Sequence, residues 1–244
     1  MCYTIIMKQF LTTLILLCSL ITHAHTQPFT AKSWLVADGD GNIIQSNNSK
    51  EVRSIASISK LMTVMVVLDA HQDLDEKTKP YSRRELIQLA LVKSDNAAAK
   101  RLCELFPGGY NECVWAMNSK AFTLGMHDTH FIEPTGLSVF NVSTAEELIT
   151  LVKTAQNYSE IREAAKSSEV KIRNKKHWRV FHNTNPVIGH RFDFIVSKTG
   201  YIRASGGCIV MMLDTDLGRR IVILLGSKNT RTRIPEATFI AEQY

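Results

Sequence analysis

The stretch that most limits how this chain can fold is the apolar run Leu61-Met62-Thr63-Val64-Met65-Val66-Val67-Leu68, with no glycine or proline between Ile55 and Ala70. A run of that length reads as a buried helix, and Ser57 lies in its first turn. Ser57 and Lys60, three apart on a helix, share a face, so the amine can lie beside the hydroxyl as a base beside a nucleophile. Spacing alone is weak ground. Ser-x-x-Lys arises about once by chance in a chain of this size, and Ser168 to Lys171 repeats it in a polar stretch with no apolar helix behind it. Ser46-Asn47-Asn48 similarly imitates a second motif, Ser94-Asp95-Asn96.

The chain is long enough for one substantial domain, and 45% hydrophobic with 21% charged residues excludes a disordered or fibrous polymer. The net charge of +6 is spread over scattered sites such as Arg83-Arg84, Lys175-Lys176 and Arg219-Arg220, not gathered with aromatics into a stripe. No nucleic-acid partner is expected. Near the N-terminus Lys8 precedes the apolar segment from Phe10 to Ile21, and Thr22-His23-Ala24 supplies small residues. The segment is too short to span a bilayer, so residues 1–24 read as a cleaved secretory signal, with no stable membrane anchor and a periplasmic destination. Of five cysteines this leaves Cys103, Cys113 and Cys208. In an oxidising compartment Cys103 and Cys113 can pair across the Pro107-Gly108-Gly109 turn, or stay as two thiols. Cys208, inside an apolar strand, reads as a buried free thiol. The eight histidines are scattered and no cysteine pair has zinc spacing, so neither a metal nor a cofactor is expected.

Taken in order, Ser33 to Ala37 and Ile43-Ile44 flank an Asp38-Gly39-Asp40-Gly41-Asn42 turn and read as a β-hairpin. The acidic turn lacks the later glycine and glutamate of a calcium loop. Ser82, three before Glu85, signals a capped helix that runs into Ser94-Asp95-Asn96. Ala97 to Phe106 and Asn111 to Leu124 read as two more helices. Phe131 to Leu137 is a loop, and Ser143 is expected to cap a helix that ends near Gln156. From Val170 the chain turns β-rich, at Trp178–Phe181, Phe192–Val196, Cys208–Leu213 and Ile221–Leu225, with a closing helix from Ala237 to Tyr244. This order predicts an α/β fold of the α+β type: an antiparallel sheet built from both chain ends, flanked by helices, with a helical subdomain at about residues 72–160 inserted in a single domain spanning 25–244.

Acyl transfer by serine needs a nucleophile with a base in reach, donors for the oxyanion and a route for returning a proton. Ser57 and Lys60 can form the first pair, provided burial or nearby positive charge lowers the lysine pKa. Ser94 and Asn96 can present a hydroxyl and an amide between two helices. Lys198-Thr199-Gly200 stands on a strand, where glycine allows close backbone approach.

These three motifs, in this order, resemble those of serine β-lactamases and penicillin-binding proteins. The flanking text, Ile55 to Thr63, Glu133 to Ser138, Asn141 to Ala145, Asn183-Thr184-Asn185 and Lys198 to Tyr201, is similar to the low-molecular-mass penicillin-binding proteins, most of all their D-alanyl-D-alanine endopeptidases. The resemblance implies a serine β-lactamase/transpeptidase-like fold and a serine DD-peptidase acting on peptidoglycan stem peptides, with β-lactams as covalent inhibitors; the alternatives are a carboxypeptidase, then a class A-like β-lactamase or a non-catalytic muropeptide binder. It implies Ser57 as nucleophile, Lys60 as general base and Ser94 as proton carrier to the leaving amine. Asn96 would hold Lys60 and the substrate amide, Lys198 would lend positive potential, and Thr199 would grip a carboxylate. Gly200 would let the substrate approach, and the backbone N–H groups of Ser57 and Tyr201 would form the oxyanion hole. Lys60 would work as a neutral amine, with Lys198 and Asn96 setting that state. The Glu-Pro-Thr-Gly-Leu loop at Glu133 departs from the Glu-x-x-Leu-Asn pattern of class A β-lactamases, so efficient lactam hydrolysis is not expected. The chain stops soon after its last strand and helix, which favours cross-link cleavage over removal of a terminal D-alanine.

Overall fold

The computed structural model describes residues 29–174 and 177–244, so the expected signal segment and Lys175-Lys176 lie outside the described residues. Both chain ends contribute to one five-stranded sheet. The hairpin β1 (Ser33–Asp38) and β2 (Ile43–Asn47) joins β7 (Asp193–Ile202), β8 (Gly206–Thr215) and β9 (Gly218–Ser227) in the order β2-β1-β9-β8-β7. Every neighbouring pair is antiparallel. Asp38 makes the hairpin turn: its carboxylate accepts from the Asp40 and Asn42 backbone N–H groups, both at 2.9 Å.

Alternation along the central strands sends side chains to two separate cores. Leu35, Ala37, Val210, Ile221 and Ile223 face the helical side, while Trp34, Val36, Met211, Val222 and Leu224 face the last helix, α7 (Arg233–Gln243). With both faces covered, the strands read as continuous apolar runs, and that is why β8 and β9 lack polar alternation.

The helical side is built around α1 (Ser59–Asp69), in which every residue from Ser59 to Val67 is buried. A helix apolar all round has to be enclosed, and α3 (Asn96–Glu104), α4 (Tyr110–Thr123) and α5 (Ala145–Ala155) pack against it. α2 (Arg83–Gln88) begins at the expected capping box: Ser82 Oγ accepts from Glu85 N at 3.2 Å, and Ser82 N donates to Glu85 at 2.7 Å. α5 lies against both α1 and the sheet strands β1 and β9. Its cap differs from expectation. Thr144, not Ser143, accepts from the Glu147 N–H, because Ser143 belongs to the short strand β4 (Val142–Ser143), which pairs with β3 (Arg53–Ser54).

Two other features depart from the sequence reading. Ser159–Lys166 forms a helix, α6, and β5 (Glu169–Asn174) with β6 (His177–His182) makes a hairpin separate from the main sheet. The Cys103–Cys113 alternative resolves as a disulfide, with Cα atoms 5.3 Å apart, joining α3 to α4. Among the described residues Cys208 is a buried free thiol. No helix among them is long and apolar enough to cross a membrane.

Candidate active site

Ser57 lies just outside the α-helix. It occupies a 3₁₀ turn, Ala56–Ile58, that leads into α1, and Ala56 is held at φ +47°. A left-handed conformation at a residue with a Cβ is strained and persists only where its surroundings enforce it. Two glycines do so. Gly136 lies at φ +80° against the turn, where a Cβ would come 1.9 Å from the Ala56 carbonyl oxygen. On the other side a Cβ on Gly200 of β7 would come 2.9 Å from Ile55 O and 3.0 Å from Ser57 N. The nucleophile turn is thus gripped between the 133–138 loop and the outermost strand of the sheet.

Lys60, one residue into α1, is fully buried. Its Nζ lies 2.8 Å from Ser57 Oγ, 2.7 Å from Asn96 Oδ1 and 2.5 Å from the Thr135 carbonyl oxygen. Two of these partners are carbonyl-type acceptors. As an ammonium Lys60 donates to all three, and Ser57 Oγ lies 3.3 Å from the Thr135 carbonyl oxygen, to which it donates. Once neutral, the amine has two N–H groups for the two carbonyl oxygens and a lone pair that can accept the Ser57 O–H. Burial holds the Lys60 pKa down to about 8, against the opposing charges of Glu133 and Asp95. Of the two causes open from sequence, burial and nearby positive charge, burial is the larger, and Lys198 is not among the main influences on Lys60.

The second motif has a distinct role for each residue. The helix after α2 widens into a π turn, Leu89–Lys93, and Asp95 N bonds back to Leu89 O at 3.0 Å. Such π turns recur at functional sites because they redirect the chain without ending the helical stack. Ser94 follows in the left-handed region, at φ 60° and ψ 34°. Asp95 then caps α3, its Oδ1 accepting from Ala98 N at 2.8 Å, so that Asn96 opens the helix with its amide on Lys60.

Lys198, on β7, is 2% exposed and donates to Ser94 Oγ and to its neighbour's carbonyl, Thr199 O, both at 2.8 Å. Among the described residues, the hydrogen bonds of Ser94 join it to Lys198 and not to Ser57 or Lys60. Burial drives Lys198 well below the ordinary lysine range, and the charges of Lys60 and Arg233 push the same way. Thr199 Oγ1 donates to Thr184 Oγ1 at 2.6 Å. Tyr201, the next outward residue but one, leaves 46% of its surface in solvent.

The three motifs thus converge on one cleft, together with residues that sequence reading passed over. Arg233 at the start of α7 donates from Nη1 to Gly200 O at 2.7 Å, and its buried Nε has no protein partner. Burial lowers its pKa, but a guanidinium starts far above neutrality and keeps its charge, so the positive potential expected of Lys198 is also supplied by Arg233. No local pattern marks Arg233, since its partner is a backbone carbonyl 33 residues away. Glu133, Thr135 and Gly136 were readable as a loop, but their contact with Ser57 and Lys60 spans more than 70 residues.

A family model described as D-alanyl-D-alanine carboxypeptidase, Peptidase S11, matches residues 21–79 and 72–229. The chain is 39% identical over 214 residues to a D-alanyl-D-alanine endopeptidase of Escherichia coli, covering 78% of this chain and 69% of the relative. It is 35% identical over 236 residues to a D-alanyl-D-alanine endopeptidase of Pseudomonas aeruginosa, covering 87% and 76%. In structure it resembles penicillin-binding protein D2 of Listeria monocytogenes in its ampicillin-bound form, with a TM-score of 0.78 and 26% identity over 87% of this chain and 96% of that one. With Ser57, Lys60 and Asn96 joined by hydrogen bonds, Lys198 bonded to Ser94 beside them, and a family model that matches most of the chain, the chain belongs to the Peptidase S11 family of D-alanyl-D-alanine carboxypeptidases.

Proposed function

We propose that this protein is a serine DD-peptidase that hydrolyses D-alanyl bonds of peptidoglycan stem peptides through an acyl-enzyme on Ser57, acting foremost as a cross-link endopeptidase. The observation that carries this reading is the Lys60 amine, buried and 2.8 Å from Ser57 Oγ, with two carbonyl oxygens fixing its N–H groups. Lys60 takes the Ser57 proton as the oxygen bonds to the D-alanyl carbonyl carbon. The backbone N–H groups of Ser57 and Tyr201 receive the charge that develops on the carbonyl oxygen. As the tetrahedral species collapses, the scissile C–N bond breaks and the proton passes by way of Ser94 to the leaving amine. Water then adds to the acyl carbon as it gives a proton to the same base, and the bond from that carbon to Ser57 Oγ breaks. Lys60 returns the proton to Ser57, and the acid leaves as a carboxylate with its proton lost to solvent.

Asn96 holds both Lys60 and the substrate amide. Lys198 and Arg233 favour a substrate carboxylate at Thr199, and the peptide lies along β7, an edge strand of the sheet, while Gly200 makes room for the Ile55–Ser57 backbone and not for the substrate. Glu133 is engaged elsewhere. Its two carboxylate oxygens accept from the N–H groups of Thr135, Gly136 and Ser138 at 2.7, 2.6 and 3.2 Å, which supports slow release of a β-lactam acyl group. β-Lactams are then long-lived covalent inhibitors.

The endopeptidase preference follows the two bacterial relatives named for that activity, and carboxypeptidase action, in the family's own description, is the second reading. The protein acts in the periplasm as one catalytic domain from residue 25 onward, after cleavage of the signal segment. Digestion of purified cross-linked and uncross-linked muropeptides tests the reading. Monomers released from dimers, with the terminal D-alanine of pentapeptides retained, are expected. Release of D-alanine alone would move the assignment to a carboxypeptidase, and inertness on both would overturn it.

A further inference from the structure

The 133–141 loop does more than close the cleft. The three backbone N–H groups gathered by the Glu133 carboxylate fold residues 133–138 into a tight turn. That turn is tied to the helix beneath it. Thr63 Oγ1 donates to Pro134 O at 2.8 Å, and Asn141 Nδ2 donates to Glu133 O at 2.7 Å and to Ser59 Oγ at 2.9 Å. Ser59 Oγ in turn donates to Ala56 O at 2.8 Å, so one network runs from Glu133 to the strained residue before the nucleophile. At its tip stand Gly136, pressed on the Ala56–Ser57 peptide, and Thr135, whose carbonyl oxygen is 2.5 Å from Lys60 Nζ.

We infer that Glu133 is a positioning residue for the catalytic lysine: by collecting three N–H groups it aims the Thr135 carbonyl at Lys60 and so directs the amine lone pair toward Ser57. The inference rests on Lys60 acting as the base. A neutral amine rotates freely unless both N–H groups are held. Asn96 holds one, and the Thr135 carbonyl is the other fixed acceptor.

Glu133 also acts on Lys60 through its charge. Three other groups bear on the same electrostatic balance: Asp95 from the turn before α3 raises the Lys60 pKa with Glu133, Lys198 on β7 faces the cleft, and the phenol of Tyr110 on α4 feels the Glu133 charge. Loss of the Glu133 charge therefore moves the Lys60 titration to lower pH, while loss of the turn lowers the rate reached when Lys60 is neutral.

Stopped-flow acylation by a fluorescent penicillin across pH, in wild type, Glu133→Gln and Glu133→Asp, separates the two effects. Glu133→Gln places an NH₂ group against backbone N–H donors, and its plateau rate is expected to fall about ten- to a hundredfold, as for a small misplacement of reacting groups. Its acid limb is expected at lower pH than in wild type. Glu133→Asp keeps the charge on a shorter arm, so its plateau falls while its acid limb stays in place. An unchanged plateau in both variants, or a lowered plateau with an unmoved acid limb in Glu133→Gln, would overturn the inference.

A ¹⁵N titration of the Lys60 side chain, assigned with Lys60→Met, reads the same shift without any acylating agent. Failure of wild type to react with penicillin would count against the DD-peptidase reading. An unmoved Lys60 midpoint in Glu133→Gln would count against the role of Glu133.

Discussion

Ser57-x-x-Lys60 and Ser168-x-x-Lys171 share a spacing and almost nothing else. Lys60 leaves a buried helix into a cleft and is fully enclosed, with three hydrogen-bond partners. Ser168 sits on an exposed bend after α6, and Lys171 lies on β5 with its side chain 65% exposed and its Nζ 3.4 Å from Glu169. Ser168 stands before the strand, and Lys171 makes its polar contact with Glu169, so among the described residues no helical turn brings that hydroxyl beside the second lysine. Water solvates that amine. The difference shows what converts a lysine into a base: a backbone that puts it beside the hydroxyl, and burial that makes its charged form costly.

The largest test of this contrast is removal of each hydroxyl. Ser57→Ala is expected to cut cross-link cleavage by at least about a thousandfold, as for loss of a covalent nucleophile, while Ser168→Ala stays at the wild-type rate in the same muropeptide assay. Next comes the base. Lys60→Arg keeps a cation but cannot accept a proton, and acylation should fall about a hundred- to ten-thousandfold. Lys171→Arg should change nothing. If Lys60→Arg kept full acylation, the neutral-amine mechanism would be wrong.

The pH response sharpens the comparison further. The rate of acylation is expected to rise with pH through a midpoint near the Lys60 value of about 8, and a profile that is flat from pH 6 to 9 would contradict burial as the activating force. The smallest effect is on stability. Because the folded-state pKa of Lys60 is depressed, the unfolded chain binds more protons between about 8 and the ordinary value of 10.5, and stability contributed by this group should rise with pH across that window. Lys198, also depressed, adds to the same slope. Melting temperature should therefore climb less steeply between pH 8 and 10 in Lys60→Met than in wild type.

The contrast also explains how far the sequence could be read. The three motifs were legible because each is compact and each lies at a visible junction: apolar helix, interhelical turn, strand. The sheet was legible for a similar reason, since β1, β8 and β9 are continuous apolar runs and a hairpin turn marks β2. Pairing was not. Nothing in Trp178 to Phe181 says that this strand joins β5 instead of the main sheet, because alternation reports a strand's faces and not its neighbours. α6 was hidden by its polar start at Asn157-Tyr158-Ser159, and Ser143 and Thr144 compete for one cap that tertiary pairing of β4 assigns to Thr144.

Within the site, the missing parts act through the backbone. Thr135 contributes a carbonyl, Gly136 contributes the absence of a Cβ, and Arg233 holds the carbonyl of Gly200. Backbone roles leave little trace in residue type. Only Gly136 carried a signal, a glycine in a Pro-Thr-Gly loop, and its left-handed φ of +80° is the physical reason it is there.

The most direct measurement is the site of penicillin attachment in the intact wild-type protein at pH 8.5, found by mass spectrometry of the whole chain and of its proteolytic peptides. One adduct per chain is expected, long-lived and confined to the peptide that contains Ser57, with the peptide containing Ser168 unmodified. An adduct on any other residue, or no adduct on folded protein, would contradict the account.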